Sequence, residues 1–272
     1  MKANSGMDLR TGIAFLRNEF YNISIYRVSF WLNFIYTFLM MYSVGYVWRA
    51  LYAANPDVSG VPLAQMVSYA VLGVALEAIL HPRNGPQSYI MEQVRKGTIE
   101  MDIMKPIDFQ FYMFAKNIGG ILVRFLFLVL PSVLAAYFLF SLELPGLPAF
   151  FGFLCSLACS VTVSFFLNFI LGLLSMVTMN IKNINWGYNA ALRFFSGQMA
   201  PLWIFPGILG TVSNLLPFRC IYAIPMSIYI GNYAGPDMLG ALGVQLFWIL
   251  LLWVCSRLLM KQVFAKVMIQ GG

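Results

Sequence analysis

Between Glu143 and Lys182 stand 38 residues without one formal charge. A further 21 uncharged residues lie between Arg27 and Arg49, and from Lys182 to Arg219 the only charge is Arg193. About 20 apolar residues at 1.5 Å rise cross a hydrocarbon core of about 30 Å. Runs of this kind leave little choice but membrane-spanning helices. Composition agrees: 60% of the 272 residues are hydrophobic and 10% charged, against about 25% charged in soluble domains. The expected fold class is an all-α membrane protein with spans near 28–49, 62–80, 111–140, 149–178, 184–217 and 238–257.

The lysines and arginines fall unevenly around those spans. Lys2, Arg10, Arg17, Arg27, Arg83, Arg95, Lys96, Lys105, Lys116, Lys182, Arg257, Lys261 and Lys266 lie on one side, Arg49 and Arg219 on the other, and Arg124 and Arg193 within spans. The positive-inside bias makes both termini of this multi-pass membrane protein cytoplasmic. The net charge of +7 is then a topology signal. It is not a nucleic-acid footprint, since no clustered soluble basic face is present. Met1–Arg27 carries charges throughout, so the first span is expected to be retained rather than cleaved.

Four regions are expected. Residues 1–27 form a cytoplasmic segment, with an amphipathic interfacial helix at 8–26 that Asp8 caps and Leu9, Ile13, Leu16 and Phe20 stripe. The membrane domain covers 28–260. It carries a cytoplasmic loop at 81–110 and an outer-leaflet re-entrant segment at 201–218. A short tail covers 261–272. The re-entrant segment follows from Pro201, Pro206 and Pro217, which cannot sit inside one continuous helix, so a full span to about Ala200 is followed by short helical pieces. In the loop, Pro86 opens a helix, Gly97 ends it, and Ile90, Met91 and Val94 form its apolar stripe; Thr98 then starts a second piece carrying Ile99, Ile103 and Met104, stopped at Pro106. A short amphipathic helix between two spans suits the gripping of a soluble motor subunit.

Glu77, Arg124 and Arg193 are ionisable groups inside spans, where charge is expensive. A pair of Glu77 with either Arg193 or Arg124 is expected, and the sequence does not choose between them. Asn168 is deep enough to hydrogen-bond across helices. Cys155 and Cys159 read as packing residues. No catalytic set or metal-ligand spacing is visible around the single histidine, His81, and no G-x-x-x-x-G-K-[ST] phosphate loop exists. No cofactor or metal is therefore expected on this chain. An ion-coupled carrier would need internal repeats and midplane acids.

The loop sequence "VRKGTIEMDIMKPIDFQFY" and the later "FFSGQMAPLWIFP…LPF…YAIP" resemble type-2 ATP-binding-cassette (ABC) export permeases. Arg95, Gly97, Met104 and Pro106 carry the first likeness. Ser196, Gly197, Pro201, Phe205, Pro206, Pro217, Phe218 and Pro225 carry the second. The resemblance implies half of a pore, paired with an identical or sister permease. Two ATPase subunits per complex would hold ATP and Mg, each docked through the loop helix. Ile90, Met91, Val94, Arg95, Gly97, Ile99, Glu100, Lys105 and Pro106 are the expected coupling residues. The implied cargo is an amphipathic small molecule, drug or peptide, the alternatives being lipid or glycan-lipid export and an ion-coupled carrier.

Overall fold

A computed structural model describes residues 27–55, 60–81, 85–140, 142–178 and 181–270. The expected helix at 8–26 lies outside them. The described elements are helical throughout: α1 (Arg27–Ala54), α2 (Leu63–Leu80), α3 (Pro86–Lys96), α4 (Ile99–Ile103), α5 (Phe109–Phe140), α6 (Leu147–Val177), α7 (Ile181–Phe195), α8 (Gly207–Leu215), α9 (Ala223–Tyr229) and α10 (Pro236–Gln270). Two 3-10 turns, Leu202–Ile204 and Pro217–Cys220, flank α8.

Four helices (α2, α5, α6 and α10) are long and apolar enough to cross a membrane. The 28 residues of α1 reach about 42 Å, enough to do the same by length. Helix α2 sits at the centre, against α1, α5 and α9, and buries Met66, Tyr69, Val71 and Leu76 on all sides. Helix α6 is the second hub, packed along α10 and against α3 and α9. Within α5, residues Phe125–Val129 take the wider π form just before Pro131. Proline lacks an N–H and clashes with the carbonyl four residues back, so the added width accommodates it without breaking the span.

The fifth segment departs from expectation. Instead of a full span to Ala200, α7 stops at Phe195 after 15 residues, about 22 Å. Gly197 turns the chain with φ of +78°, a conformation that favours glycine. The short pieces that follow run on to Tyr229, well past the expected limit of 218, and α9 is among the most buried parts of the molecule.

Candidate functional site: a docked loop helix and a broken segment

The loop between α2 and α5 forms two short helices with clear punctuation. Pro86 occupies the first turn of α3, where a missing N–H costs nothing. Arg95 and Lys96 fill the last turn, beside the negative end of the helix dipole. Gly97 closes it in the left-handed conformation at φ +68°, and the Thr98 N–H donates to the Gln93 carbonyl at 3.0 Å.

The apolar stripe of α3 faces the molecule itself. Ile90 is fully buried against α6 at Gly172, where an added Cβ would stand 2.7 Å from Ile90 Cδ1. The buried Gln87 amide donates to Asn185 on α7, and the Asn185 amide approaches Met91 Sδ at 3.2 Å. In the second piece Ile99 is also buried. Asp102 beside it accepts from Tyr89 Oη at 2.7 Å and Lys105 Nζ at 2.6 Å, and Lys105 also donates to Tyr112 Oη at 3.0 Å. Burial alone would lower the Lys105 pKa, but these hydrogen bonds prevail and raise it above the ordinary lysine value. Lys116 Nζ lies 3.2 Å from the centre of the Tyr89 ring, and Arg257 of α10 clasps Asp108 at 2.5 Å.

This geometry narrows the expected contact set. Ile90 and Ile99 face inward, away from any docking surface; Met91 and Val94 are half-buried. Arg95, Gly97, Glu100, Lys105 and Pro106 are exposed. The apolar groups presented outward are Met101, 72% exposed, and Met104, 82% exposed, with Ile107 beside them. From the sequence, Met104 is expected with Ile99 and Ile103 in the second helical piece, while Met101 is not singled out. Their i, i+3 spacing on a polar background is the available signal.

At the break after α7, Tyr69 Oη of α2 donates to the Gly197 carbonyl at 2.7 Å, and the Ala223 N–H donates to the Ser196 carbonyl at 2.9 Å. Pro201 and Pro206 precede a 3-10 turn and α8, and Pro217 opens the second turn. The irregular backbone at Cys220 is satisfied from two sides. Gln245 Nε2 of α10 donates to its carbonyl at 2.9 Å, and Ser160 Oγ of α6 donates to it at 2.8 Å. Ser156 Oγ completes the set by donating to Gln245 Oε1 at 3.0 Å. These three side chains are fully buried, and the sequence reading does not single them out. Irregular backbone at membrane depth requires such partners.

Glu77 pairs with Arg193 rather than Arg124: its Oε1 lies 3.7 Å from Arg193 Nη2, and the Gln198 side chain hydrogen-bonds the same carboxylate. Arg124 folds back along α5 over Gly120. Asn168 is buried, yet its amide donates within its own helix, to the Ser164 carbonyl at 2.7 Å, and not across helices. No cluster of three potential metal ligands occurs among the described residues.

Compared with known families, residues 26–271 match the family described as ABC-2 family transporter protein. The chain belongs to the ABC-2 transporter family. No curated protein matches it. An ABC-2 protein of this kind is the membrane component of an ABC transporter, working in the bilayer with an ABC ATPase. For an ABC-2 membrane component, two structural regions merit a role: the outward surface of α3 and α4, and the broken segment held between α2, α6 and α10.

Proposed function

We propose that this chain is the permease subunit of an ABC exporter. It moves an amphipathic small molecule, drug or peptide out across the bacterial cytoplasmic membrane, driven by ATP and Mg on a separate ATPase chain. Six crossings are made by α1, α2, α5, α6, α7 with its broken continuation, and α10, with both termini cytoplasmic. Two such permeases, identical or sister, form the pathway and hold two ATPase subunits.

One observation carries this reading. The α3–α4 pair is fixed to α6 and α7 through Ile90 and Gln87, while Met101 and Met104 are exposed. Exposed methionines are costly on a polar loop and suited to filling a groove on a soluble partner. Co-purification with the candidate ATPase tests it, comparing wild type with Met101→Asp/Met104→Asp. The expected result is a folded double variant that loses at least tenfold in ATPase retention. Retention unchanged in that variant, or a wild type that holds no ATPase with or without nucleotide, overturns the reading.

A further inference from the structure

Helix α7 carries a face that sets one charge among apolar residues. Trp186, Ala190, Arg193 and Phe194 recur at i, i+4, i+7 and i+8, and all four are exposed. Asn189 borders them half-exposed, four residues before Arg193. Arg193 stands in the last turn of α7, and its partner Glu77 lies within the membrane-crossing α2. Ionised groups so placed face a wet cavity or another protein, not hydrocarbon. The pair is also lopsided. The Glu77 side chain is 21% exposed and that of Arg193 57% exposed. At 3.7 Å their contact is one of charge, without a hydrogen bond, and more than half of the arginine side chain stays accessible beside it. Glu77 meanwhile is shielded and held by Gln198.

We propose that Arg193 determines specificity in the translocation path by receiving the anionic head group, phosphate or carboxylate, of an amphipathic substrate. A guanidinium stays charged at all physiological pH and matches such oxyanions two bonds at a time. Asn189, one turn away, spends one amide N–H on the Asn185 carbonyl at 2.8 Å and keeps the second for a ligand. Ala190 leaves the space between Trp186 and Arg193 open. Trp186 and Phe194, whose ring lies 5.4 Å from Phe205, supply apolar surface for the tail. Glu77 positions the arginine. This inference rests on the permease reading and adds the charge of the cargo.

The test is equilibrium binding to the full chain in phosphatidylcholine nanodiscs, corrected for empty nanodiscs. The probes are dodecyl phosphate and dodecyltrimethylammonium, which share a tail and differ in charge. Wild type should bind the phosphate at least tenfold more tightly. Arg193→Lys should keep part of that preference and Arg193→Gln should abolish it. Ala190→Asp, which removes neither member of the Glu77–Arg193 pair, sets a carboxylate one turn from the guanidinium and should abolish the preference as well. Equal affinities in wild type, a preference for the cation, or a preference unchanged in Arg193→Gln or Ala190→Asp overturns the proposal. ATPase retention is measured on the same preparations. A chain that holds the ATPase without charge preference refutes this inference alone, whereas one that holds no ATPase refutes the permease reading.

Discussion

Gly172 has no side chain, and that vacancy is what α3 occupies. Ile90 Cδ1 would lie 2.7 Å from an added Cβ and Gln87 Cα 3.3 Å. The second contact is backbone and cannot swing aside, so Gly172→Ala should push α3 off α6. Overpacking of this kind costs about 1–3 kcal/mol. A lowered thermal unfolding midpoint together with weaker ATPase retention is the expected outcome; an unchanged midpoint would show that α3 seats elsewhere. Some single residues are legible in the sequence. Gly97 as a helix stop and Pro201, Pro206 and Pro217 as breakers act through local backbone chemistry, which travels with the residue. Gln245 is not, because a lone amide in an apolar helix acquires meaning only when Ser156, Ser160 and the Cys220 carbonyl converge on it.

At the scale of elements, the loop between α2 and α5 shows what periodicity can and cannot tell. The stripe of Ile90, Met91 and Val94 correctly implies a helix with an apolar face. It does not say which surface that face meets, and intramolecular packing against α6 claims it first. The same ambiguity affects the fifth span. A run with Arg193 as its one charge suggests a membrane segment, while the place where its helix ends is set by Gly197 and by the Tyr69 hydroxyl on another element. One joint here responds to acid. Burial acts to raise the Asp108 pKa, but the Arg257 guanidinium and the Phe111 N–H outweigh it and hold the carboxyl below its ordinary value. A group depressed in the folded state stabilises it above the unfolded pKa, about 3.9, and loses that contribution as pH falls through the lower folded value. The clasp between α5 and α10 should therefore weaken as pH falls below about 4. Asp108→Asn should flatten that part of a stability–pH profile, and an identical profile would show that the clasp carries no linkage.

The whole molecule exposes apolar surface on nearly every side, including Trp31, Leu39, Phe138, Leu246 and Leu250. Against that background the α7 face is exceptional because it exposes Arg193, with Asn189 half-exposed beside it. A surface that meets water and one that meets lipid differ in thiol chemistry, since a thiolate forms only where water can solvate it. In a cysteine-free background, Ala190→Cys should react with a water-soluble maleimide and Leu250→Cys should not. Equal labelling of the two would place α7 against lipid. Fold class, the uneven charge and the α2–α5 loop can all be read from sequence, since each follows from composition over many residues. The match of residues 26–271 to the ABC-2 family agrees with that reading at the level of the whole chain.

The seat of α3 on α6 has a mechanical consequence. Helix α6 runs 31 residues, about 46 Å, and Gly172 lies about 24 Å along it from Ser156. The loop is thus bolted to one arm of a stiff beam whose other arm carries the bonds that hold Cys220. If the ATPase docks at Met101 and Met104 as proposed, α6 is the element that joins its docking surface to the broken segment. A rigid-body tilt of α6 would then move both attachments together, the seat of α3 and the bonds at Cys220.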